Sequence, residues 1–273
     1  MTKGTDPRPP LDPAALAGLA PRWRVEVVDE TPSTNAVAAQ RAREGEPEGL
    51  VVTTEHQTAG RGRLDRVWET PARSAVALSV VLRPDVPGAR WPWLPLLTGV
   101  AVTEALRGLG YDAGVKWPND VLIATGDGER KVCGILVERI EVAAGSTTGD
   151  RGPAAVVGVG LNTSMSAEEL PVATATSLAV AGGAPVDRTE VLVAVLERLG
   201  ERYREWLADP AALGTTYAAL SVTVGRAVRV ELPGGNVLAG TATRIDADGR
   251  LVVAHDGTET AVGAGDVVHA RLA

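Results

Sequence analysis

The sequence predicts an α+β protein in which a mixed-sheet main domain is followed by a small β-barrel. Strand-like and helical segments alternate up to about residue 217, but without the regular βαβ order of a doubly wound sheet. From Val222 onward the chain shows four or five short alternating segments separated by Gly-containing turns. We therefore expect a flexible tail at 1–20, a main domain at 21–217 and a β-domain at 218–273.

Helices are predicted at 34–44, 93–109 and 187–209. The first has Ser33 or Thr34 as a capping residue, and the second ends before Gly110, a residue type common just past helix ends. The third opens with acidic residues at capping-box spacing and continues with an apolar stripe. Strands are predicted at 23–28, 50–54, 74–82, 114–117, 121–124, 132–140 and 154–161.

Charge and cysteine content exclude several classes of protein. The net charge is −7 and the pI is about 5.1, so we expect no nucleic-acid partner, and a phosphate site must be a local basic patch. Cys133 is the single cysteine, which rules out an internal disulfide and a Cys-rich zinc site. No run of 18 apolar residues and no signal peptide is visible, so we expect a cytoplasmic protein without a membrane partner.

Residues 60–68, GRGRLDRVW, are the most informative segment. Glycines allow the backbone to approach an anion, and three arginines supply charged donors to phosphate or carboxylate. The glycine spacing fits neither a P-loop nor a dinucleotide fingerprint. From the residues alone, a solvated basic loop and an anion-binding loop are about equally good interpretations.

Two further segments combine charged and small residues. Residues 116–120, KWPND, place a cation, an indole and an acid together, although an ordinary Pro-Asn-Asp turn explains them equally well. On the next strand, Lys131 precedes Gly134, and a glycine within a strand often marks close approach of a ligand. Cys133 is interpreted as a core residue. Residues 157–162, VGVGLN, form either a tightly packed strand or a backbone floor beneath a ligand that Asn162 contacts.

Five blocks, taken together and in order, resemble those of the biotin protein ligases. The blocks are Ser33-Thr34-Asn35, Gln57 with 60–68, residues 116–120, Lys131 with 134–138, and 158–162. The resemblance runs from about Ser33 to Leu178, and the C-terminal β-segment matches in kind and position. It implies a catalytic domain of the class II synthetase type and an SH3-like barrel. The blocks begin by residue 33, so we expect a monofunctional ligase without a DNA-binding domain.

The resemblance implies two half-reactions. Biotin attacks the α-phosphorus of ATP to give biotinyl-5′-AMP and pyrophosphate, and an acceptor lysine then takes the biotin. The implied catalytic residues are Lys131, Arg61, Arg63 and Asp120. The implied biotin contacts are Ser33, Thr34, Asn35, Gln57, Gly60, Arg61, Gly62, Arg63, Lys131, Gly134 and Ile135. The implied adenylate contacts are Arg63, Arg66, Trp68, Lys116, Asn119, Lys131 and Asn162. Mg²⁺ would bind mainly through the ATP phosphates, and Asp120 would serve either the metal or the incoming amine.

The resemblance also implies a biotin carboxyl carrier domain as the partner. We expect a monomer or a weak, ligand-dependent homodimer. Three alternatives stay open from the sequence: a lipoate or octanoate ligase or transferase, a biotin-responsive DNA regulator, and a non-catalytic ligand-binding module.

Overall fold

A computed structural model describes residues 8–63, 66–141, 152–184, 186–232, 234–263 and 265–269. The chain divides into two compact units, the first formed by Met1–Arg83 with Thr125–Ala194 and the second by Pro84–Ala124 with Val195–Ala273. This division differs from the expected boundary at residue 217. Residues 84–124 belong with the C-terminal strands, because Trp93 donates to Ala247 O and Val222 N donates to Val115 O.

The first unit contains five strands of a mixed sheet in the order β1-β2-β5-β9-β8. They are β1 (Arg24–Thr31), β2 (Leu50–Gln57), β5 (Ala75–Leu82), β8 (Gly128–Ile140) and β9 (Ala154–Asn162). Strands β1 and β2 pair parallel, whereas the other neighbours pair antiparallel. The predicted mixed sheet is thereby confirmed.

Helix α2 (Thr34–Arg43) packs on this sheet through small residues. Ala38 and Ala42 are fully buried against Leu50, Val52 and Val81. The Ser33 hydroxyl accepts from Ala36 N at 3.4 Å and caps the helix, which orients its first turn toward the sheet. Shorter helices of this unit are α1 (Pro13–Ala17) and α4 (Leu178–Gly182), and the long α5 (Arg188–Ala208) begins here.

Residues 8–20, expected to belong to a flexible tail, are packed in the first unit. Leu11, Leu16 and Leu19 are buried, and Leu11 N donates to Glu55 Oε1 at 2.8 Å. The Arg188 guanidinium donates to Pro9 O at 2.8 Å. The expectation was wrong for this stretch because the apolar residues that anchor it are too few to give a periodic pattern. Residues 1–7 of the expected tail lie outside the described residues.

An ion pair between Arg188 and Glu55 anchors that segment, with side-chain exposures of only 3% and 9%. We expect Arg188→Ala to lower the free energy of unfolding by about 3 kcal/mol, because it leaves the buried Glu55 carboxylate with only the longer, 3.7 Å contact to half-exposed Arg73. Urea unfolding followed by circular dichroism measures the loss. The matched control is Arg198→Ala, which breaks an exposed pair with Glu201 and should change little. Equal losses in both variants would contradict the prediction.

The second unit holds α3 (Trp93–Gly108), β6 (Ala113–Lys116), β7 (Asp120–Thr125), most of α5, and α6 (Ala212–Leu220). Gly110 follows α3 with φ +90, the left-handed conformation expected just past a helix. Five antiparallel strands follow: β10 (Ala227–Glu231), β11 (Val237–Ile245), β12 (Leu251–His255), β13 (Thr258–Val262) and β14 (Asp266–His269).

The order of these strands is β13-β12-β11-β10-β14. The predicted small C-terminal β-domain is present, and within its described residues the sheet runs linearly without pairing between β13 and β14. Across the described residues of both units, no helix is long and apolar enough to cross a membrane.

Candidate active site

A short hairpin carries the arginine-rich segment in the first unit. Its strands are β3 (Gly60–Arg61) and β4 (Val67–Trp68), which pair antiparallel. The segment had been expected to be an open loop. The hairpin closes because Gly62 N donates to Arg66 O at 2.6 Å and because glycine at position 60 fits beside the β4 backbone.

Trp68, at the end of this hairpin, lies on a floor of small residues. Ala77, Gly160 and Gly134 align in register across β5, β9 and β8. A Cβ atom on Gly160 would lie 2.7 Å from the indole, and one on Gly134 would lie 3.2 Å from it. The indole can therefore approach the sheet only because these two residues are glycines. We call Gly134 and Gly160 the glycine floor, and an indole of the chain itself covers it.

Lys131 places its ammonium beside the same indole, 5.6 Å from the ring centroid. This distance allows a cation–π contact. Lys131 Nζ would also be 3.3 Å from a Cβ on Gly134, so the ammonium lies directly over the glycine floor. Within the described part of the chain, the buried indole N–H of Trp68 has no hydrogen-bond acceptor. The ammonium lies by the Cζ3 edge of the indole over Gly134, whereas the indole N–H lies over Gly160.

The Ser33-Thr34-Asn35 block and Gln57 meet at one end of this floor. Thr34 donates to Gln57 Oε1 through its backbone N at 3.0 Å, and its hydroxyl oxygen lies 3.2 Å from the same atom. Gly60 is buried beside Gln57, where a Cβ would lie 2.3 Å from Nε2. The Asn35 amide accepts from Ser79 and donates to Glu138, so it is held within the protein.

The predicted arginines differ in their surroundings. Arg61 is half exposed and pairs with Glu138 at 3.4 Å. Arg63 is half-buried, and Arg66 is exposed on the same hairpin. The hairpin that ends in Trp68 therefore carries these three arginines, one of them paired with a carboxylate.

A cavity of about 540 Å³ lies along the strand that carries Lys131. Lys131 exchanges backbone hydrogen bonds of 2.8 Å with Thr174 and Thr176. The cavity lining includes Arg130, Ala167, Leu170, Pro171, Ala175 and Thr176. Asn162 donates to Thr176 O at 3.0 Å and so supports this wall rather than projecting openly. Ile135 and Cys133 are buried on β8, as a core role for Cys133 requires.

Lys116, Asn119 and Asp120 lie in the second unit. Lys116 and Asp120 are paired in register across the β6–β7 hairpin, with half-buried Asn119 in the connecting turn. Trp117 is buried, and its indole donates to Gly249 O at 3.1 Å, so it offers no open face to a ligand. Burial, with the nearby Asp120 carboxylate, raises the pKa of Tyr217 well above its usual range.

Comparison with known proteins decides the family. The sequence profile of the "Biotin/lipoate A/B protein ligase family" matches residues 27–162, and that of the "Biotin protein ligase C terminal domain" matches 223–270. A biotin–[acetyl-CoA-carboxylase] ligase of Mycobacterium tuberculosis is 41% identical over 99% of this chain and 100% of its own length. The chain belongs to the biotin protein ligase family.

Other members of the family extend the comparison. A bifunctional ligase/repressor of Bacillus subtilis is 32% identical over 82% of this chain and 67% of its own length. The structure of the biotin protein ligase from Aquifex aeolicus in complex with biotin and ATP has a TM-score of 0.73 at 25% identity, covering 91% of this chain and 99% of that one. Both the predicted fold class and the predicted family are therefore confirmed.

Two residues that hold side chains of the candidate site are not among those predicted from sequence. Ser79 contacts Thr34 and Asn35, and Glu138 contacts Asn35 and Arg61. A single serine inside the apolar strand AVALSVVL was a usable signal for Ser79. Glu138 ends the block 134–138. Its contact with Asn35 depends on the register of the strands, which the sequence does not predict.

Among the described residues, no three His, Cys, Asp or Glu side chains cluster in a way that could hold a metal ion. The prediction remains that Mg²⁺ binds mainly through the ATP phosphates, a donor set that this ion commonly uses together with one or two carboxylates. Asp120 is predicted to serve either the metal or the incoming amine.

Proposed function

We propose that this chain activates biotin with ATP to form biotinyl-5′-AMP and then transfers biotin to a lysine of a carrier domain. The observation that carries the proposal is the Lys131 ammonium over the glycine floor, beside the Trp68 indole. The Mycobacterium relative is named a biotin–[acetyl-CoA-carboxylase] ligase, and the Aquifex enzyme was solved with biotin and ATP, which supports both substrates.

We place biotin against the first turn of α2 and the β3–β4 hairpin. Its fused rings need apolar contact together with hydrogen bonds to the urea group. Ser33, Thr34 and Gln57 supply polar groups there, and Gly60, Gly62 and Gly134 bring their backbones close to Gln57, Arg66 and Trp68 respectively. Trp68 supplies an apolar wall next to the same glycines. Asn35 supports the biotin site through the residues to which it is hydrogen-bonded, and the buried Ile135 contributes its backbone to that site.

We place the nucleotide beside Lys131 and Trp68; the cavity lined from residues 125–130 and 167–181 lies next to the backbone of Lys131. The reaction brings a carboxylate and a triphosphate together, so cations must offset their repulsion. Lys131 is the cation nearest the floor, and Arg61, Arg63 and Arg66 add charge from the hairpin. Asn162 shapes the cavity through Thr176. When bound, Mg²⁺ neutralises part of the phosphate charge. Lys116, Asn119 and Asp120 are proposed to contact the adenylate, the metal or the incoming amine.

The partner follows from the second half-reaction. We propose a biotin carboxyl carrier domain as the acceptor, supported by the printed name of the Mycobacterium relative. ATP consumption supports the cytoplasm as the location. A monomer or weak, ligand-dependent homodimer is also proposed, and light scattering with and without biotinyl-5′-AMP measures it.

The decisive experiment is exchange of labelled pyrophosphate into ATP by the wild-type chain. We expect exchange that requires biotin, because adenylation is reversible and needs no acceptor. Exchange supported by lipoate and not by biotin would assign the chain to lipoate chemistry, and no exchange with either would leave a binding module. Streptavidin blotting of a carrier domain incubated with biotin and ATP tests the transfer step.

A further inference from the structure

We propose that Ser79 and Glu138 are positioning residues for biotin, acting through Thr34 and Asn35. The inference rests on the proposed function, because it assigns a buried polar network to the same ligand. Neither residue faces the glycine floor beneath Trp68. Both instead hold the side chains that begin helix α2.

Ser79 fixes the first turn of α2 to strand β5. Its side chain is fully buried, and its hydroxyl lies 2.8 Å from Thr34 Oγ1 and 2.6 Å from Asn35 Oδ1. A hydroxyl has one proton and two lone pairs, so Ser79 joins two neighbouring polar groups at once. Asn35 Oδ1 can only accept, so Ser79 gives its proton to Asn35 and accepts from the Thr34 hydroxyl. The Thr34 backbone N–H donates to Gln57 Oε1, so the position of Gln57 depends on the helix turn that Ser79 fixes.

Asn35 occupies a slot whose shape sets the direction of its amide. Ser79, Gly158 and Leu136 align in register across β5, β9 and β8, one row away from the glycines beneath Trp68. A Cβ on Gly158 would lie 2.2 Å from Asn35 Oδ1, so only glycine accommodates this side chain. With Oδ1 toward Ser79, Nδ2 points to Glu138 Oε2 at 2.8 Å.

Glu138 joins this slot to the arginine hairpin. Its carboxylate accepts from Asn35 and also pairs with Arg61 at 3.4 Å. Arg61 pairs in register with Val67, the residue before Trp68. One carboxylate therefore contacts both the helix start that faces biotin and the hairpin that carries Trp68. Displacing it should alter biotin binding before it alters ATP binding.

The test exchanges the hydrogen-bond donor and acceptor between residues 35 and 138, first by one substitution and then by two. Asn35→Asp places two carboxylates in contact, and we expect the KM for biotin to rise by at least about tenfold because like charges repel. The KM for ATP should change by less than about threefold. In Asn35→Asp/Glu138→Gln, the new amide donates to the new carboxylate, and we expect the KM for biotin to return to within about threefold of wild type. A merely structural role predicts no such selective rescue.

Two further variants keep the test decisive. Ser79→Ala removes one hydroxyl and adds no atoms, so it should weaken biotin binding about tenfold even if Asn35→Asp does not fold. Thr53→Ala removes a comparable buried hydroxyl on β2, which donates to Ala77 O, and should leave the KM for biotin unchanged. An unchanged KM in both Asn35→Asp and Ser79→Ala, or a double variant no better than the single, would overturn the inference. So would an equal shift in Thr53→Ala. A wild type without biotin-dependent exchange would instead overturn the proposed function.

Discussion

Replacing Lys131 with methionine should lower the rate of biotin-dependent pyrophosphate exchange by roughly 100- to 1000-fold, the usual cost of losing one donor that stabilises developing charge. The ammonium lies beside Trp68 and over the glycine floor, where a carboxylate and a phosphate would meet. Methionine fills a similar volume without a charge, so packing against the indole is kept. The fall should therefore appear mainly in kcat, measured by exchange at saturating biotin and ATP.

Two variants separate the local role of Lys131 from a general charge effect. Lys131→Arg keeps a cation but spreads it over a planar fork, and we expect activity between those of wild type and Lys131→Met. Arg198→Ala removes the same unit of charge from an exposed pair on α5 and should retain wild-type exchange. Full exchange by Lys131→Met would remove this residue from the centre of the site.

Much of the fold could be predicted because its signals are local. Helix α2 begins after Ser33, where the cap was expected, and α5 begins beside Asp187, which accepts from Thr189 N at 2.7 Å. The N-terminal segment could not be predicted in this way. Leu11 and Pro9 are ordered by Glu55 and Arg188, partners that are distant in sequence. Contacts of this kind produce no periodic pattern.

The candidate site was predictable in its residue types but not in its arrangement. The glycines of β8 and β9 are predicted as positions where a ligand could approach, with a tightly packed strand as the alternative for β9. Nothing in their spacing indicates that Trp68 covers one row and Asn35 the next. That arrangement depends on the register of three strands, which places Gly134 beside Gly160 and Leu136 beside Gly158. Asn35 itself was expected to touch biotin directly, whereas its amide is held between Ser79 and Glu138.

Replacing Gly160 with alanine should impair biotin activation at least tenfold while leaving the sheet folded. The added Cβ would lie 2.7–3.0 Å from three atoms of the Trp68 ring, so the indole must move away from the floor. A displacement of about 1 Å near reacting groups can cost roughly 100-fold in rate. Biotin-dependent exchange measures the effect, with circular dichroism as the check on folding.

A double-variant cycle decides whether the clash with Trp68 is the cause. Trp68→Ala alone should already reduce exchange, but it removes the atoms that the new methyl group would meet. Adding Gly160→Ala to Trp68→Ala should therefore cost little more, since the two changes act on one contact. Gly108→Ala is the matched control, because a Cβ there meets nothing within 4 Å. If Gly160→Ala costs as much without Trp68 as with it, the methyl group disturbs β9 itself, and glycine at this position serves the strand rather than the approach of the indole.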